Sequence, residues 1–247
     1  MISVTILTFQ SERFIQKVLE SLATFDEILI LDTGSTDKTL EIAEKFANVR
    51  IHKNLFSGFG PLHNLAASLC KNDWILSIDS DEVLSKELIQ EIKYLDLDKK
   101  TAYSIPFHNF YNGKWIRWCG WYPDRHVRLY NRQATSFSNH FVHEKIQTDS
   151  LITANLQHPI HHFSYSEVSD FLRKMQNYSD LFADQNVGKK KSSPWKAIRH
   201  GAFAFIKSYL IKRGFLGGYE GFLISIYNAH TAFYKYLKLY EKNKKIT

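Results

Sequence analysis

Short apolar runs alternate with amphipathic segments along the first half of the chain. The runs have the length of strands buried on both faces, and they lie at residues 2–7, 27–31, 49–52 and 74–78. A helical spacing follows the first run, with apolar side chains at Phe14, Val18 and Leu22. Pro61 suits the first turn of a later helix, and Ser85 suits a helix cap. The alternation predicts an α/β fold, with a parallel sheet covered by helices.

After Thr101 the pattern changes. Two further strands are predicted at residues 102–107 and 126–130, with a turn at 111–115. From Tyr165 onward the apolar spacing is helical, and three helices are predicted at residues 166–182, 193–214 and 222–240. We therefore expect a first domain of residues 1–164 and a helical C-terminal region of residues 165–247.

Charge is distributed unevenly over the 247 residues, whose net charge is +7. From Lys189 onward thirteen Lys and Arg stand against two Glu, a net +11, which leaves −4 for the rest. A basic, amphipathic tail indicates an anionic neighbour such as a membrane surface or nucleic acid. No nucleic-acid recognition motif is found, so peripheral membrane contact is favoured. The alternative is that the apolar stripes pack on the body of the protein or on a partner subunit of a homo-oligomer.

The ends of the chain and its apolar runs bear on its location. The segment MISVTILTFQ has no basic leader and is typical of a strand, so we expect no signal peptide. No apolar run approaches the ~20 residues of a spanning helix. These features favour a cytoplasmic protein, peripheral on the inner face of the cytoplasmic membrane.

Polar clusters follow three of the predicted strands. Thr8 follows the first, the segment from Asp32 to Asp37 the second, and the segment from Asp79 to Glu82 the fourth. In a parallel sheet these ends share one rim, where ligands of open α/β sheets bind. Taken singly, DTGST is also typical of an ordinary capped loop, and an Asp-x-Asp pair also occurs by chance. The placement of all three polar clusters on one rim favours a ligand-binding site there.

Asp79 and Asp81 are two residues apart, so on an extended segment their carboxylates point the same way. Two carboxylates form a hard oxygen site for Mg²⁺ or Mn²⁺, which leaves positions for water and for phosphate oxygens. The pattern predicts a divalent metal that neutralises a departing diphosphate.

The quoted motifs resemble inverting glycosyltransferases of family 2, which have the GT-A fold. The resemblance covers about the first 90 residues, through SVTILTFQSERFIQKVLESL, DEILILDTGSTDKTLEIAEKF, FSGFGPLHNLAASL and DWILSIDSDEVLS. Later segments, including GWYPDRHVRLYNR, FVHEKI and RGFLGGYEGF, resemble bacterial lipopolysaccharide inner-core glucosyltransferases. The resemblance implies a Rossmann-like, mostly parallel sheet flanked by helices, with the helical region as a C-terminal extension.

The resemblance also implies roles for matching positions. Thr8 and Asp32 would line the uracil and ribose pocket, and Asp81 would bind the metal. Asp79 would lie against the ribose or the metal. The remaining nucleotide-binding candidates are Gly34, Ser35, His63, Asn64 and Ser80. The family usually has Arg or Lys where this chain has His63.

Inversion requires a carboxylate within hydrogen-bond reach of the acceptor hydroxyl. The family places this base well after the Asp-x-Asp pair, and we expect Glu144, with Asp124 as the second candidate. Glu144 could instead form an ordinary pair with Lys145. Asp124 could pair with Arg125 or Arg128, or hold an acceptor hydroxyl.

Histidine and aromatic side chains add further candidates. His162 is the candidate third metal ligand, although a packed or hydrogen-bonded histidine is equally consistent with its position. If the acceptor is phosphorylated, the candidates to bind it are Arg125, Arg128 and Arg132. Aromatic side chains that could stack on sugar rings, or simply form core, are Trp115, Trp118 and Trp121.

The predicted function is a metal-dependent, inverting transfer of a sugar from a UDP-sugar, with glucose expected, to a glycolipid or core-oligosaccharide acceptor of lipopolysaccharide. Another surface polymer or glycolipid is the alternative acceptor. A non-catalytic nucleotide-sugar-binding or scaffolding protein is the alternative class, and the intact Asp79 and Asp81 argue against it. A nucleotidyltransferase would show a Gly-rich basic loop near the N-terminus, which TFQSERF is not.

Overall fold

The computed structural model describes residues 1–139 and 144–246. The chain divides into two compact units, each made of two chain segments. The first unit consists of Met1–Phe107 and Asp124–His162, and the second of His108–Pro123 and the chain from Phe163 onward. Residues 108–123, which the sequence placed in the first domain, therefore pack with the C-terminal helices.

The first unit begins with alternating strands and helices, as predicted. The strands are β1 (Ile2–Thr8), β2 (Glu27–Asp32), β3 (Val49–Lys53) and β4 (Trp74–Asp79). The helices are α1 (Ile15–Ser21), α2 (Thr39–Ala43), α3 (Phe59–Leu69) and α4 (Lys86–Lys93). Ser85 caps α4, because its hydroxyl accepts the Leu88 backbone N–H at 3.1 Å.

The four strands pair in the order β3-β2-β1-β4, and all three pairings are parallel. Their register brings the carboxyl ends together: Thr8 lies opposite Asp32, and Leu7 lies opposite Asp79. The predicted common rim is confirmed by these pairings. Every residue of β2 is buried, which explains why that run alternates so little between apolar and polar.

The rest of the sheet is mostly antiparallel, so the sheet as a whole is mixed and not mostly parallel, and that part of the expectation is wrong. Its strands are β5 (Glu82–Leu84), β6 (Thr101–Tyr111), β7 (Lys114–Trp115), β8 (Arg125–Asn131), β9 (Ile152–Asn155) and β10 (Ile160–His162). Strand β8 lies between β4 and β6 and is antiparallel to both. Strand β10 pairs antiparallel with β5 and places His162 opposite Glu82. Strands β5 and β9, of three and four residues, are too short to be predicted from spacing.

The second unit is helical, and the predicted helical C-terminal region is confirmed. Its helices are α5 (Val168–Asn186), α6 (Pro194–Ile206) and α7 (Gly218–Lys244). A π-helical turn (Lys207–Ile211) and a 3₁₀ turn (Gly214–Gly217) lie between α6 and α7. Ser193 caps α6 by accepting the Lys196 N–H at 3.1 Å, as its sequence predicts.

The core of the second unit includes both of its chain segments. Ile116 and Cys119 are buried in one cluster with Phe171 and Ile224. Trp118 and Trp121 are partly buried against the same cluster, which favours a packing role for both. Within residues 1–139 and 144–246, no helix combines the length and the apolar character needed to cross a membrane.

Candidate active site

A cavity of about 490 Å³ opens in the first unit beside the carboxyl end of β4. It is lined mainly by charged side chains and histidines. The carboxylates are Asp79, Glu82, Asp124 and Glu144; the cationic side chains are Arg125, Arg128 and Lys145; and the histidines are His126 and His162. The cavity therefore brings together Asp79, both candidate bases and the candidate metal-binding histidine.

Arg128 compensates the carboxylates at the end of β4. Its Nη2 lies 2.7 Å from Oδ2 of Asp79, and the same nitrogen donates to Glu82. Glu82 is fully buried, and its second oxygen accepts the Asp79 backbone N–H at 3.0 Å. The Arg128 guanidinium also lies over the Phe107 ring, 5.3 Å from its centroid. A protein cation thus pairs with Asp79, one of the two aspartates for which the sequence suggested a metal.

The two carboxylates respond differently to this arrangement. Burial would raise the pKa of Asp79, but the positive charge of Arg128 outweighs it and holds that pKa well below its ordinary value. Burial and the neighbouring negative charge of Asp79 raise the pKa of Glu82 to about 8, against the opposing effect of Arg128. The ion pair is therefore centred on Arg128 and Asp79, with Glu82 as a buried hydrogen-bonding support.

Asp81 faces a different partner. Residues 80–81 form a turn between β4 and β5, so the argument from an extended segment does not apply, and that expectation is wrong. Oδ2 of Asp81 lies 3.5 Å from Nε2 of His162. Burial lowers the pKa of His162, but Asp81 and the other carboxylates nearby outweigh it, and the net shift is upward.

The residues present fit a divalent ion only in part. A carboxylate oxygen and an imidazole nitrogen, as in Asp81 and His162, are donors that Mn²⁺ accepts, and Mg²⁺ accepts the carboxylate. In the described part of the chain, no group of three or more His, Cys, Asp or Glu side chains is arranged to hold a metal. A bound ion would therefore need water and substrate oxygens to complete its coordination.

Thr8 and Asp32 meet at the rim but are almost completely buried. The Thr8 hydroxyl donates to Asp32 at 2.8 Å. The same carboxylate accepts the Ser35 hydroxyl and the backbone N–H groups of Gly34 and Ser35 at 2.5–3.0 Å. Burial would raise the pKa of Asp32, but these hydrogen bonds outweigh it and lower the pKa. In the structure Asp32 therefore shapes the loop after β2, and the loop's exposed surface begins at Gly34.

The loop after β1 joins the other two clusters. The Gln10 backbone N–H donates to the Ser35 hydroxyl at 3.0 Å, and the Ser11 hydroxyl donates to Ser80 at 2.8 Å. Gln10 has a φ of 52°, in the left-handed region, which turns the chain sharply after β1. The rim is thus one hydrogen-bonded surface, and the nucleotide-binding roles of its residues stay predictions.

His63 and Asn64 support the site from α3. His63 is buried, its Nδ1 lies 3.2 Å from the Ser77 hydroxyl, and its ring stacks on Phe137 at 4.3 Å. Burial lowers the pKa of His63 to about 4, so the ring is neutral at pH 7 and does not supply the charge of an Arg or Lys. Asn64 brackets the Phe137 backbone, donating to its carbonyl at 3.0 Å and accepting its N–H at 2.9 Å.

The two candidate bases line the same cavity. Oδ1 of Asp124 lies 3.0 Å from Nε2 of His126, so this histidine is one of its partners. Glu144 is half-buried at the cavity wall. The preceding residues, 140–143, lie outside the described part of the chain.

The other arginines proposed for an acceptor phosphate are engaged elsewhere. Arg125 donates to the carbonyls of Ser104 and Leu156 at 2.8 and 2.6 Å. Arg132 donates to carbonyls at the C-terminal end of α3 and pairs with Asp73 at 3.1 Å. Trp115, on β7, stacks on His108 at 3.6 Å and lies under the Arg117 guanidinium at 4.0 Å.

Sequence reasoning missed the role of Glu82 and the pairing of Arg128 with Asp79. The signal was present only in part: Glu82 belongs to the acidic cluster, and an acidic cluster needs a compensating cation. The cation comes from β8, 49 residues beyond Asp79, through an antiparallel pairing that no local pattern shows.

Comparisons with known proteins agree with the resemblance drawn from the motifs. The family model described as glycosyl transferase family 2 matches residues 3–154. An uncharacterised glycosyltransferase of Rickettsia typhi is 31% identical over 99% of this chain and 88% of its own length. The lipopolysaccharide core biosynthesis glycosyltransferase LpsC of Rhizobium meliloti is 25% identical over 98% of this chain and 93% of its own length.

Among solved structures, the chain is similar to residues 1–349 of TarS from Staphylococcus aureus in complex with UDP. That likeness has a TM-score of 0.48 and 16% identity and covers 100% of this chain and 92% of that chain. The predicted family is confirmed by the family model and by the relative of 31% identity. The α/β class with C-terminal helices is confirmed by the strands and helices described above.

Proposed function

Because the chain belongs to glycosyl transferase family 2 and is therefore a glycosyltransferase, we propose that it transfers a sugar from a UDP-sugar to an inner-core acceptor of lipopolysaccharide or lipooligosaccharide, with inversion at the anomeric carbon. The donor sugar proposed is glucose, in line with the sequence resemblance. The observation that supports this best is the cavity beside Asp79, which also contains both candidate bases.

The acceptor class is supported by a relative. LpsC, which aligns over 98% of this chain, is named as a glycosyltransferase of lipopolysaccharide core biosynthesis. A lipid-linked acceptor would keep the enzyme at the inner face of the cytoplasmic membrane. Another surface polymer is the alternative, because a poly(ribitol-phosphate) β-N-acetylglucosaminyltransferase of Staphylococcus aureus is 33% identical over 36% of this chain.

The proposed base is Glu144, with Asp124 as the alternative. The carboxylate removes the proton of the acceptor hydroxyl. At the same time the hydroxyl oxygen bonds to the anomeric carbon, and the bond between that carbon and the UDP oxygen breaks on the opposite face. Asp124 already shares a hydrogen-bonding contact with His126, which favours a positioning role for that pair. Glu144 lies in the same cavity, within the unit that provides the nucleotide-side rim.

Asp81 and His162 are the residues proposed to hold Mg²⁺ or Mn²⁺. When bound, the ion would supply positive charge to the departing diphosphate. Asp79 stays ionised against Arg128 and orients the turn that presents Asp81. Ser80, hydrogen-bonded to Ser11, holds that turn against the loop after β1.

The test compares three variants for transfer and for donor binding. Asp81→Ala should abolish transfer and the Mn²⁺-dependent thermal stabilisation by UDP, because the ion loses a ligand. Glu144→Gln should keep UDP binding and lose transfer by about 10²-fold or more, as expected when a general base is removed. Glu41→Gln, an exposed carboxylate on α2, is the matched control and should behave as wild type.

Undiminished turnover of Asp81→Ala would remove the metal from the proposal. If Asp124→Asn loses transfer while Glu144→Gln retains it, Asp124 is the base. A thermal-shift series over nucleotide sugars, with and without Mn²⁺, identifies the donor, since a ligand that binds the native state raises Tm.

A further inference from the structure

Helix α6 buries Ala197 and Gly201 and exposes several large apolar side chains. Ala197, Gly201 and Ser208 form the buried side of α6 and the turn after it. A Cβ on Gly201 would lie 3.1 Å from Cβ of Phe233, so α6 and α7 are in close contact there. A helix that packs through small residues leaves its apolar stripe for another surface.

The exposed stripe continues beyond α6 into the turns that lead to α7. In α6 and these turns, eight large apolar side chains are between 47% and 75% exposed, and Tyr219 and Phe222 in the first turns of α7 are 59% and 49% exposed. On α6 the eight include Trp195 and Phe203, and in the turns they include Leu210, Ile211, Phe215 and Leu216. A soluble protein rarely leaves so many neighbouring apolar side chains in water unless they meet a partner.

The charges around this stripe have one sign. Residues 185–219 contain eight Lys and Arg and no Asp or Glu. Lys196 and Arg199 line a concavity of about 720 Å³ together with Trp195 and Phe203. Cationic groups with long apolar stems beside apolar side chains match a surface that is apolar inside and anionic outside.

We propose that the outer face of residues 193–222, named here the apolar–basic face, docks on an anionic lipid bilayer surface. Its apolar side chains enter the headgroup boundary, and its Lys and Arg side chains reach the lipid phosphates. A second copy of this chain is the less favoured occupant, because two such faces would bring like charges together. The inference rests on the proposed function in one respect: a lipid-linked acceptor would lie at such a membrane surface.

The test is cosedimentation of the full-length protein with vesicles, in the absence of nucleotide and acceptor. Wild type should bind vesicles that contain phosphatidylglycerol, bind vesicles of phosphatidylcholine alone more weakly, and dissociate as salt is raised. Phe203→Ser and Leu210→Ser should each weaken binding by about tenfold, because each removes a large apolar side chain from the lipid contact.

Leu172→Ser is the matched control. Leu172 lies on α5, outside the apolar–basic face, and its exposed fraction of 54% is close to the 55% of Leu210. Circular dichroism confirms that each variant is folded. Equal vesicle binding by wild type and both face variants overturns the proposal. The proposal is also overturned if wild type does not bind vesicles but forms a dimer, and the two face variants are monomeric. Hydrolysis of the UDP-sugar, measured without vesicles, reports separately on the proposed function and should be unchanged in Phe203→Ser and Leu210→Ser.

Discussion

At the scale of single residues, the arrangement around β4 depends on one guanidinium. Asp79 and Glu82 would repel each other at the end of a buried strand, and Arg128 bonds to both. Removing Arg128 from this set costs more than the set contributes, because the buried Glu82 carboxyl loses its hydrogen-bond donor where no water can replace it. Arg128 therefore holds the turn that carries Asp81 in place.

Arg128→Met should destabilise the protein by about 3 kcal/mol, near the lower end of the range for breaking a buried ion pair, because Asp79 keeps some contact with solvent. Urea unfolding in the presence of a chelator measures this loss. Lys45→Met removes the exposed partner of Glu41 and should change the free energy of unfolding by no more than about 0.5 kcal/mol. Equal losses in the two variants would show that Arg128 is not the compensating charge.

At the scale of elements, the apolar spacing predicted where most strands and helices lie, and it also placed the three polar clusters on one rim. Spacing identifies a stripe but not its partner, so it could not show that α6 packs through Gly201 and exposes Trp195 and Ile206. It also could not show the turn at residues 80–81, because a turn between two short strands has no periodicity of its own. Because of that turn, Asp79 pairs with Arg128 whereas Asp81 pairs with His162.

The contact between α7 and the turn before it leads to a graded prediction for two glycines. A Cβ on Gly221 would lie 1.9 Å from the Gly214 carbonyl oxygen, a backbone atom that cannot rotate away. Gly221→Ala should therefore destabilise the second unit by about 3 kcal/mol or more, at or above the usual range for overpacking.

Gly201→Ala is the comparison for Gly221→Ala. Its Cβ would meet Phe233 Cβ at 3.1 Å, and the strain is offset by the gain of about 1 kcal/mol in helix propensity, so the net change should stay within about 1 kcal/mol. Chemical denaturation followed by circular dichroism ranks the two variants. The reverse ranking would mean that α7 does not approach Gly214 as described.

At the scale of the whole molecule, each unit is built from two chain segments, and this could not be predicted from local pattern. The sequence indicated a boundary near residue 164, where the helices begin, and one unit boundary does fall at His162. It did not indicate that residues 108–123 leave the first unit, because long-range contacts decide that. The pairing of Arg128 with Asp79 has the same origin and was missed for the same reason.

A fragment of residues 163–247 should consequently fail to fold as the helices do in the full chain. It lacks Ile116 and Cys119, which are buried against Phe171 and Ile224. It also lacks Lys114, whose Nζ lies 3.0 Å from the Glu220 carboxylate, and Glu220 is 3% exposed. Burial would raise the pKa of Glu220, and hydrogen bonds from the 108–123 segment hold it below its ordinary value.

Thermal unfolding followed by near-ultraviolet circular dichroism measures the effect on the fragment. The full chain should show a cooperative transition, and the fragment should show a broad one or none, because its buried apolar and acidic groups lose their partners. Adding residues 108–123 through a flexible linker should restore part of the cooperativity, which separates loss of these contacts from a general effect of truncation. A fragment that unfolds as sharply as the full chain would show that the helices form a unit without that segment. Deletion of the C-terminal helices would then be a valid test of vesicle binding. If the helices need residues 108–123 to fold, only single substitutions on the apolar–basic face are a valid test.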